Sequence, residues 1–217
     1  MYKMILKIAL AVLLAVSGSA YANNYSFYGI TNNNAADITA GEAQLTVDVT
    51  DPSGSNNVLF TFYNVGSNAS SIADIYFDDG TLLALSTLTG STGVSFSQGA
   101  SPQKLPGGNG ASPGFVNTAG FSADSDSPVQ HNGVNPGEWL SVLFTLQSGQ
   151  EYGTVLSSLQ SGALRIGIHV QGFSSGGSES FVNTISAPVP EPEIYGMMLA
   201  GLGLMGLMGR SRISARA

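Results

Sequence analysis

The apolar residues between Asn23 and Ala187 occur in short clusters that are separated by glycine, serine, asparagine and proline. Such clusters are typical of short β-strands bounded by turns. The clearest case is Ala43–Thr50, in which apolar and polar side chains alternate along the whole segment, as they do in a half-buried strand. This pattern constrains the chain to many short strands.

The strands predicted most clearly are Tyr25–Ile30, Ala43–Thr50, Val58–Val65, Ile72–Phe77, Glu138–Leu146, Ala163–Gln171 and Phe181–Ile185. Short edge strands are predicted at Val94–Ser97 and Gly114–Phe121, inside the long Gly-, Ser- and Pro-rich stretch Gly90–Pro128, and Thr81–Leu88 fits a strand or a helix-like turn. Tyr152–Gln160 has helical spacing. About eight to ten strands with one short helix predict an all-β fold, an antiparallel β-sandwich that is jelly-roll-like.

The N-terminus has the three parts of a secretory signal peptide. Lys3 and Lys7 form the charged region, and Ile8–Val16 is the apolar region. The cleavage site has small residues at Ala20 and Ala22. We therefore expect export through the Sec pathway, with residues 1–22 as a signal helix and a mature chain that begins at Asn23. The alternative is a transmembrane helix, for which the apolar run is too short.

The segment 188–217 combines three unrelated features in a fixed order. Its first part is rich in proline, which fixes φ and forbids a regular helix, so it is predicted to be an extended spacer. The uncharged run Ile194–Met208 predicts a membrane helix, and the arginines beyond it would stay on the cytoplasmic side. The spacer motif is Val189-Pro190-Glu191-Pro192, and the arginines are Arg210, Arg212 and Arg216.

An ordinary C-terminal membrane anchor is the alternative interpretation of this segment. A run of about fifteen residues spans roughly 22 Å, which is short of the roughly 30 Å hydrocarbon core. A permanent anchor would normally be longer, whereas a segment that is recognised only briefly need not be.

The order of these features resembles the PEP-CTERM sorting signal of Gram-negative bacteria, in which a Val-Pro-Glu-Pro motif, a short membrane span and an Arg-rich tail are read by an exosortase. The resemblance implies an exosortase as partner, a transient stay at the inner membrane, and delivery to the cell surface or the extracellular matrix, in a context of exopolysaccharide and biofilm. Residues 75–80 and 164–171 are also similar to PEP-CTERM surface proteins named for an Asp-Asp motif, which implies no activity.

With both ends set aside, one domain remains by length, residues 23–187. It has two basic residues, Lys104 and Arg165, and twelve acidic residues, so its net charge is −10 with histidine neutral. This charge repels nucleic acid and anionic lipid. Because the chain has no cysteine, stability must come from a packed core or from bound ions.

Two pairs of carboxylates are candidate metal ligands. Asp78 and Asp79 are predicted at a strand end, and Asp124 and Asp126 in a loop. Calcium takes six to eight oxygen ligands and is the cofactor that such pairs would bind. The alternatives are a turn at Asp79-Gly80 and a solvated loop at the second pair, which lacks the full EF-hand spacing.

No catalytic motif assembles in the sequence. There is no Gly-x-Ser-x-Gly segment, the lack of cysteine excludes a thiol mechanism, and His169 is predicted to be a hydrogen-bonded structural residue. The sequence therefore predicts an exported, non-catalytic interaction protein and not an enzyme. One alternative is a calcium-dependent carbohydrate-binding module that uses the candidate aspartates. Trp139 and the tyrosines fit a stacking platform for sugar rings, although their strand positions favour packing in the core. The other alternative is a secreted hydrolase.

Overall fold

A computed structural model of the chain describes residues 22–52, 56–78, 83–117 and 121–185. The chain divides into two units between Ile185 and Ser186, and the described residues all belong to the first. The predicted signal peptide, except for Ala22, and the predicted sorting segment 188–217 lie outside the described residues. Within those residues, no helix combines the length and the apolar character that crossing a membrane requires.

The described residues form ten strands and three α-helices, so the fold is mostly β, as the sequence predicts. The strands are β1 (Asn23–Gly29), β2 (Leu45–Thr50), β3 (Asn57–Asn64), β4 (Ser71–Asp78), β5 (Leu83–Gly90), β6 (Phe96–Gln98), β7 (Ser122–Ser125), β8 (Trp139–Leu146), β9 (Arg165–Gln171) and β10 (Glu179–Asn183). The helices are α1 (Ala35–Gln44), α2 (Val129–Asn132) and α3 (Tyr152–Ser161).

All strand pairs are antiparallel, and they join into one nearly closed sheet in the order β5-β8-β3-β2-β1-β10-β9-β4-β7-β6. Strand β1 connects the two halves of this sheet. Its residues 23–26 pair with β2, and its residues 27–29 pair with β10. The jelly-roll-like sandwich stays a prediction, since the structure establishes the nearly closed antiparallel sheet.

The main core lies between the two halves of the sheet. Phe77 of β4 is fully buried, and its ring packs edge-to-face against Phe60 of β3 and Phe144 of β8, with centroids 5.1 and 5.0 Å apart. Along β2 the apolar residues are buried and the polar residues between them are half-buried, which confirms the predicted alternation. Edge-to-face aromatic pairs contribute stability beyond the area they bury.

Helix α1 occupies a segment for which the sequence predicts no helix, and its end overlaps the start of a predicted strand. The strand predicted from Ala43 begins at Leu45, so the prediction for Ala43 and Gln44 is wrong. Asn34 caps the helix by accepting a hydrogen bond from the Ala36 amide at 2.9 Å. The buried face contains Gly41, where an added Cβ would lie 2.3 Å from Phe181. A buried face without an apolar stripe gives no helical periodicity.

The long stretch after β5 also differs from its prediction. The strand predicted at Gly114–Phe121 is absent from the described residues 114–117, and the strand of this region is β7 instead. Residues 99–117 pack against the outer face of β4, β9 and β10, opposite to the main core, and bury a second, smaller cluster there. Its buried members are Tyr76, Ala100, Leu105, Ala111, Phe115 and Val182. The single predicted helix is α3, whereas α1 and α2 are additional.

Candidate functional site

Asp78, a predicted calcium ligand, forms an ion pair with Arg165, which lies directly opposite it on β9. Arg165 also donates a hydrogen bond to the Gly114 carbonyl at 2.7 Å, and its guanidinium lies 5.3 Å from the centre of the Phe115 ring. Both charged side chains are largely buried. The pair therefore fastens residues 99–117 to the sheet.

Asp124, the third predicted ligand, lies on β7 directly opposite Asp74 of β4. Asp74 is buried, and its Oδ2 lies 2.9 Å from Nδ1 of His169 on β9. The other oxygen, Oδ1, is buried without a hydrogen-bond partner among the described residues. The structure thus brings two carboxyl groups together across adjacent strands, and one oxygen of Asp74 lacks a donor.

The electrostatics of this pair shift Asp124. Burial and then the charge of Asp74 raise the pKa of Asp124 to about 6, from an ordinary value of 3.8, although a backbone hydrogen bond from Ser101 acts the other way. Two ionised carboxylates repel each other and cannot form a hydrogen bond. A protonated Asp124 can donate a hydrogen bond to Asp74, which removes the repulsion and also supplies the missing donor.

Asp124→Asn is expected to stabilise the protein at neutral pH. The folded-state pKa is raised, so Asp124 contributes full stability below about pH 4 and loses it as the pH rises through about 6. Asparagine carries no charge and can donate to Asp74 at every pH. We expect a gain of roughly 1–2 kcal/mol at pH 7.5, discounted for solvent screening, and a flatter dependence of stability on pH between 4 and 7, measured by urea unfolding of the full chain.

Asp126→Asn is the matched control, because it makes the same change two residues along the chain with the opposite expected sign. Asp126 accepts hydrogen bonds from Ser95 at 2.5 Å and Ser97 at 2.7 Å, and these hold the pKa of its carboxyl below the usual range. Its contribution is present at neutral pH and is lost in acid. If both variants destabilise the protein at pH 7.5, repulsion between Asp74 and Asp124 does not lower the stability of the folded state.

Ser180, His169 and Asp74 form a row across three strands, with Ser180 of β10 paired with His169 and His169 paired with Asp74. The contact to Asp74 shows that His169 is hydrogen-bonded, as the sequence predicts, and its purely structural role stays a prediction. Ser180 is only 1% exposed, and its Oγ has no hydrogen-bond partner among the described residues. A nucleophilic serine needs a hydrogen bond to its base and access to a substrate, and Ser180 has neither.

Two of the predicted calcium ligands, Asp78 and Asp124, therefore lie at different places on the sheet. Asp78 lies four residues beyond Asp74 on β4, roughly 13 Å at about 3.3 Å per residue, whereas Asp124 lies opposite Asp74. Asp79 is outside the described residues. In the part of the chain that the structure describes, no three or more acidic, histidine or cysteine side chains are grouped so that they could hold a metal ion. Calcium binding stays a prediction.

An open groove lies where the start of β4, helix α2 with the residues after it, and the end of β9 meet. It has a volume of about 460 Å³, within the roughly 300–1,000 Å³ of small-molecule sites. Its lining contains no acidic or basic side chain apart from one histidine. The lining residues are Ala69, Ser70, Ser71, Gln130, His131, Asn135, Pro136 and Gly172.

A buried polar network supports the floor of this groove. The side-chain amide of Gln44 donates to Asn64 at 2.8 Å and to the Ser70 hydroxyl at 2.7 Å, and the Asn64 amide donates to the Val134 carbonyl at 3.2 Å. Gln44, Asn64 and Ser70 are all buried. Sequence analysis missed this network and the groove, because their residues come from segments that are far apart in the chain.

Comparison with known protein families locates one match. Residues 188–213 match the family model described as the PEP-CTERM protein-sorting motif. The chain carries a PEP-CTERM sorting motif. Neither the comparison with curated proteins nor the comparison with solved structures gives a match.

The PEP-CTERM motif confirms the resemblance seen in the sequence. The match contains the four residues from Val189 to Pro192 together with Arg210 and Arg212, and Arg216 lies beyond its end. The motif directs sorting to the cell surface through an exosortase, the membrane-associated processing partner. The β-rich fold and the groove belong to residues that the match does not cover.

Proposed function

We propose that this protein is a non-catalytic component of the cell surface or the extracellular matrix of a Gram-negative bacterium, exported through Sec and associated with the exopolysaccharide of a biofilm. The observation that carries the proposal is the PEP-CTERM motif at residues 188–213, because it assigns the chain to exosortase-dependent sorting. After a transient stay at the inner membrane, the domain 23–187 is the part that acts outside the cell.

Two features of the described residues support a binding role over a catalytic one. The row formed by Ser180, His169 and Asp74 has a buried serine whose hydroxyl is not hydrogen-bonded to the histidine. The ion pair of Asp78 with Arg165 fastens a surface segment and is not open to a substrate. The domain would serve as a jelly-roll-like module that holds its ligand by a polar surface.

The proposal is tested on material released by the native host. The processed protein is expected to elute with the exopolysaccharide in size-exclusion chromatography and to move to its own monomeric or oligomeric volume once the polysaccharide is depolymerised. The purified protein is expected to show no turnover in a glycosidase and esterase screen. Elution apart from the polysaccharide from the start, or turnover of any screened substrate, would contradict the proposal.

A further inference from the structure

We propose that the groove between β4, α2 and β9 binds a neutral polysaccharide, and that Gln130 and His131 make its side-chain hydrogen bonds to the sugar hydroxyls. This inference rests on the proposed function and names the site and the ligand class for it. The groove is lined by hydroxyl, amide and imidazole groups, with Ala69 and Pro136 as apolar lining residues. Such a lining offers hydrogen bonds to hydroxyls and an apolar surface to the C–H faces of a sugar ring.

The polar groups at the rim are available to a ligand. The Gln130 amide and the His131 imidazole are exposed and have no hydrogen-bond partner among the described residues. An amide and a neutral imidazole each carry both a donor and an acceptor, as does every sugar hydroxyl. Asn135 is held beside them, because its amide donates to the Gly133 carbonyl and to Glu138, both at 3.0 Å.

The floor of the groove is pre-organised. Ser70 is fixed by hydrogen bonds from Gln44 and Asn64, and Ser71 Oγ donates to the Gln130 carbonyl at 3.1 Å. A floor that is already ordered reduces the conformational entropy that is lost when the groove takes up a ligand. A fully hydrogen-bonded polar network also defines one conformation for the residues that it connects.

The charges favour a neutral ligand over an anionic one. The lining contains no lysine or arginine that could pair with a carboxylate, sulfate or phosphate group. Only Lys104 and Arg165 are basic between residues 23 and 187, against twelve acidic residues, and Arg165 is paired with Asp78. An acidic polysaccharide would therefore be repelled by the domain as a whole.

The test compares three forms of the full chain, which are the wild type, Gln130→Ala/His131→Ala and the matched control Gln160→Ala. Gln160 is an exposed amide on α3. The probes are the neutral and acidic polysaccharide fractions of the host's extracellular material, separated by anion exchange, and a neutral Gly/Ser peptide. Binding is measured by affinity electrophoresis. Thermal unfolding is followed in parallel, and the two single variants replace the double variant if it is destabilised.

We expect the wild type and Gln160→Ala to bind the neutral fraction equally, and the double variant to bind it at least about tenfold more weakly, since two hydrogen bonds are lost. If the wild type binds but the double variant matches Gln160→Ala, the groove is not the site, and the proposed function survives. If the wild type binds neither fraction, the proposed function fails as well. Preference for the acidic fraction or for the peptide overturns the assignment of a neutral sugar.

Discussion

Replacing Val189-Pro190-Glu191-Pro192 by four alanines is expected to leave the protein unprocessed in the membrane fraction and to reduce its surface release to background. The replaced residues lie inside the matched sorting motif. Proline fixes φ and forbids a regular helix, whereas alanine is the best helix former, so the change removes both the recognised side chains and the restriction that the prolines place on the backbone. The measurement is cell fractionation followed by immunoblotting and by mass spectrometry of the released form.

The variant Ser214→Ala is the control for this experiment. It changes one small polar residue of the tail beyond the end of the match and keeps Arg210, Arg212 and Arg216, so it should be processed like the wild type. Wild-type release of the four-alanine variant would show that the exosortase does not read this motif. Loss of release in the serine variant would show that the effect is not specific to the motif.

The sorting signal could be predicted from the sequence because recognition of this kind depends on the order of local features along the chain. Proline content, an uncharged apolar run and arginines are visible without any tertiary structure. The same holds for strands in which apolar and polar residues alternate, such as β2, whose pattern of burial follows the sequence directly. Local chemistry is what a single sequence displays best.

Features that depend on pairing between distant segments could not be predicted. Asp74 interrupts the otherwise apolar segment Ile72–Phe77, which is the only local sign of its role. Its neighbours Asp124 and His169 are defined by strand register. Helix α1 was missed for a related reason. Its buried residues are Asp37, Gly41 and Gln44, and their fit to the sheet is a matter of tertiary packing and not of propensity.

The groove also could not be predicted from the sequence, because it too is formed by segments that are distant in the chain. Its residues come from three segments, around Ser70, around His131 and at Gly172, and only the antiparallel pairing of β4 with β9 brings the first and the last together. The sequence prediction placed carbohydrate binding on aromatic side chains such as Trp139, which is half-buried at the start of β8. The structure offers a polar groove, whose residues carry no aromatic signature.

Phe77→Ala is expected to cost about 3–5 kcal/mol of unfolding free energy, the usual range for removing a buried phenylalanine. Phe77 is fully buried and lies at the centre of an aromatic cluster that spans both halves of the sheet. The substitution removes both the apolar area that the Phe77 ring buries and its edge-to-face contacts with neighbouring rings. These neighbours are Phe60, Phe62, Phe121 and Phe144, at centroid distances of 5.1, 6.4, 5.6 and 5.0 Å.

Phe96→Ala is the matched control for this change, because Phe96 lies on the short strand β6 and is only partly buried. Denaturant unfolding of the full chain should give a clearly smaller loss for Phe96→Ala than for Phe77→Ala. The chain has no disulfide to compensate for a damaged core, and total stabilities of about 5–15 kcal/mol are typical, so Phe77→Ala should remove a large share of the total. Equal losses in the two variants would mean that the packing between the two halves of the sheet does not dominate the stability of this fold.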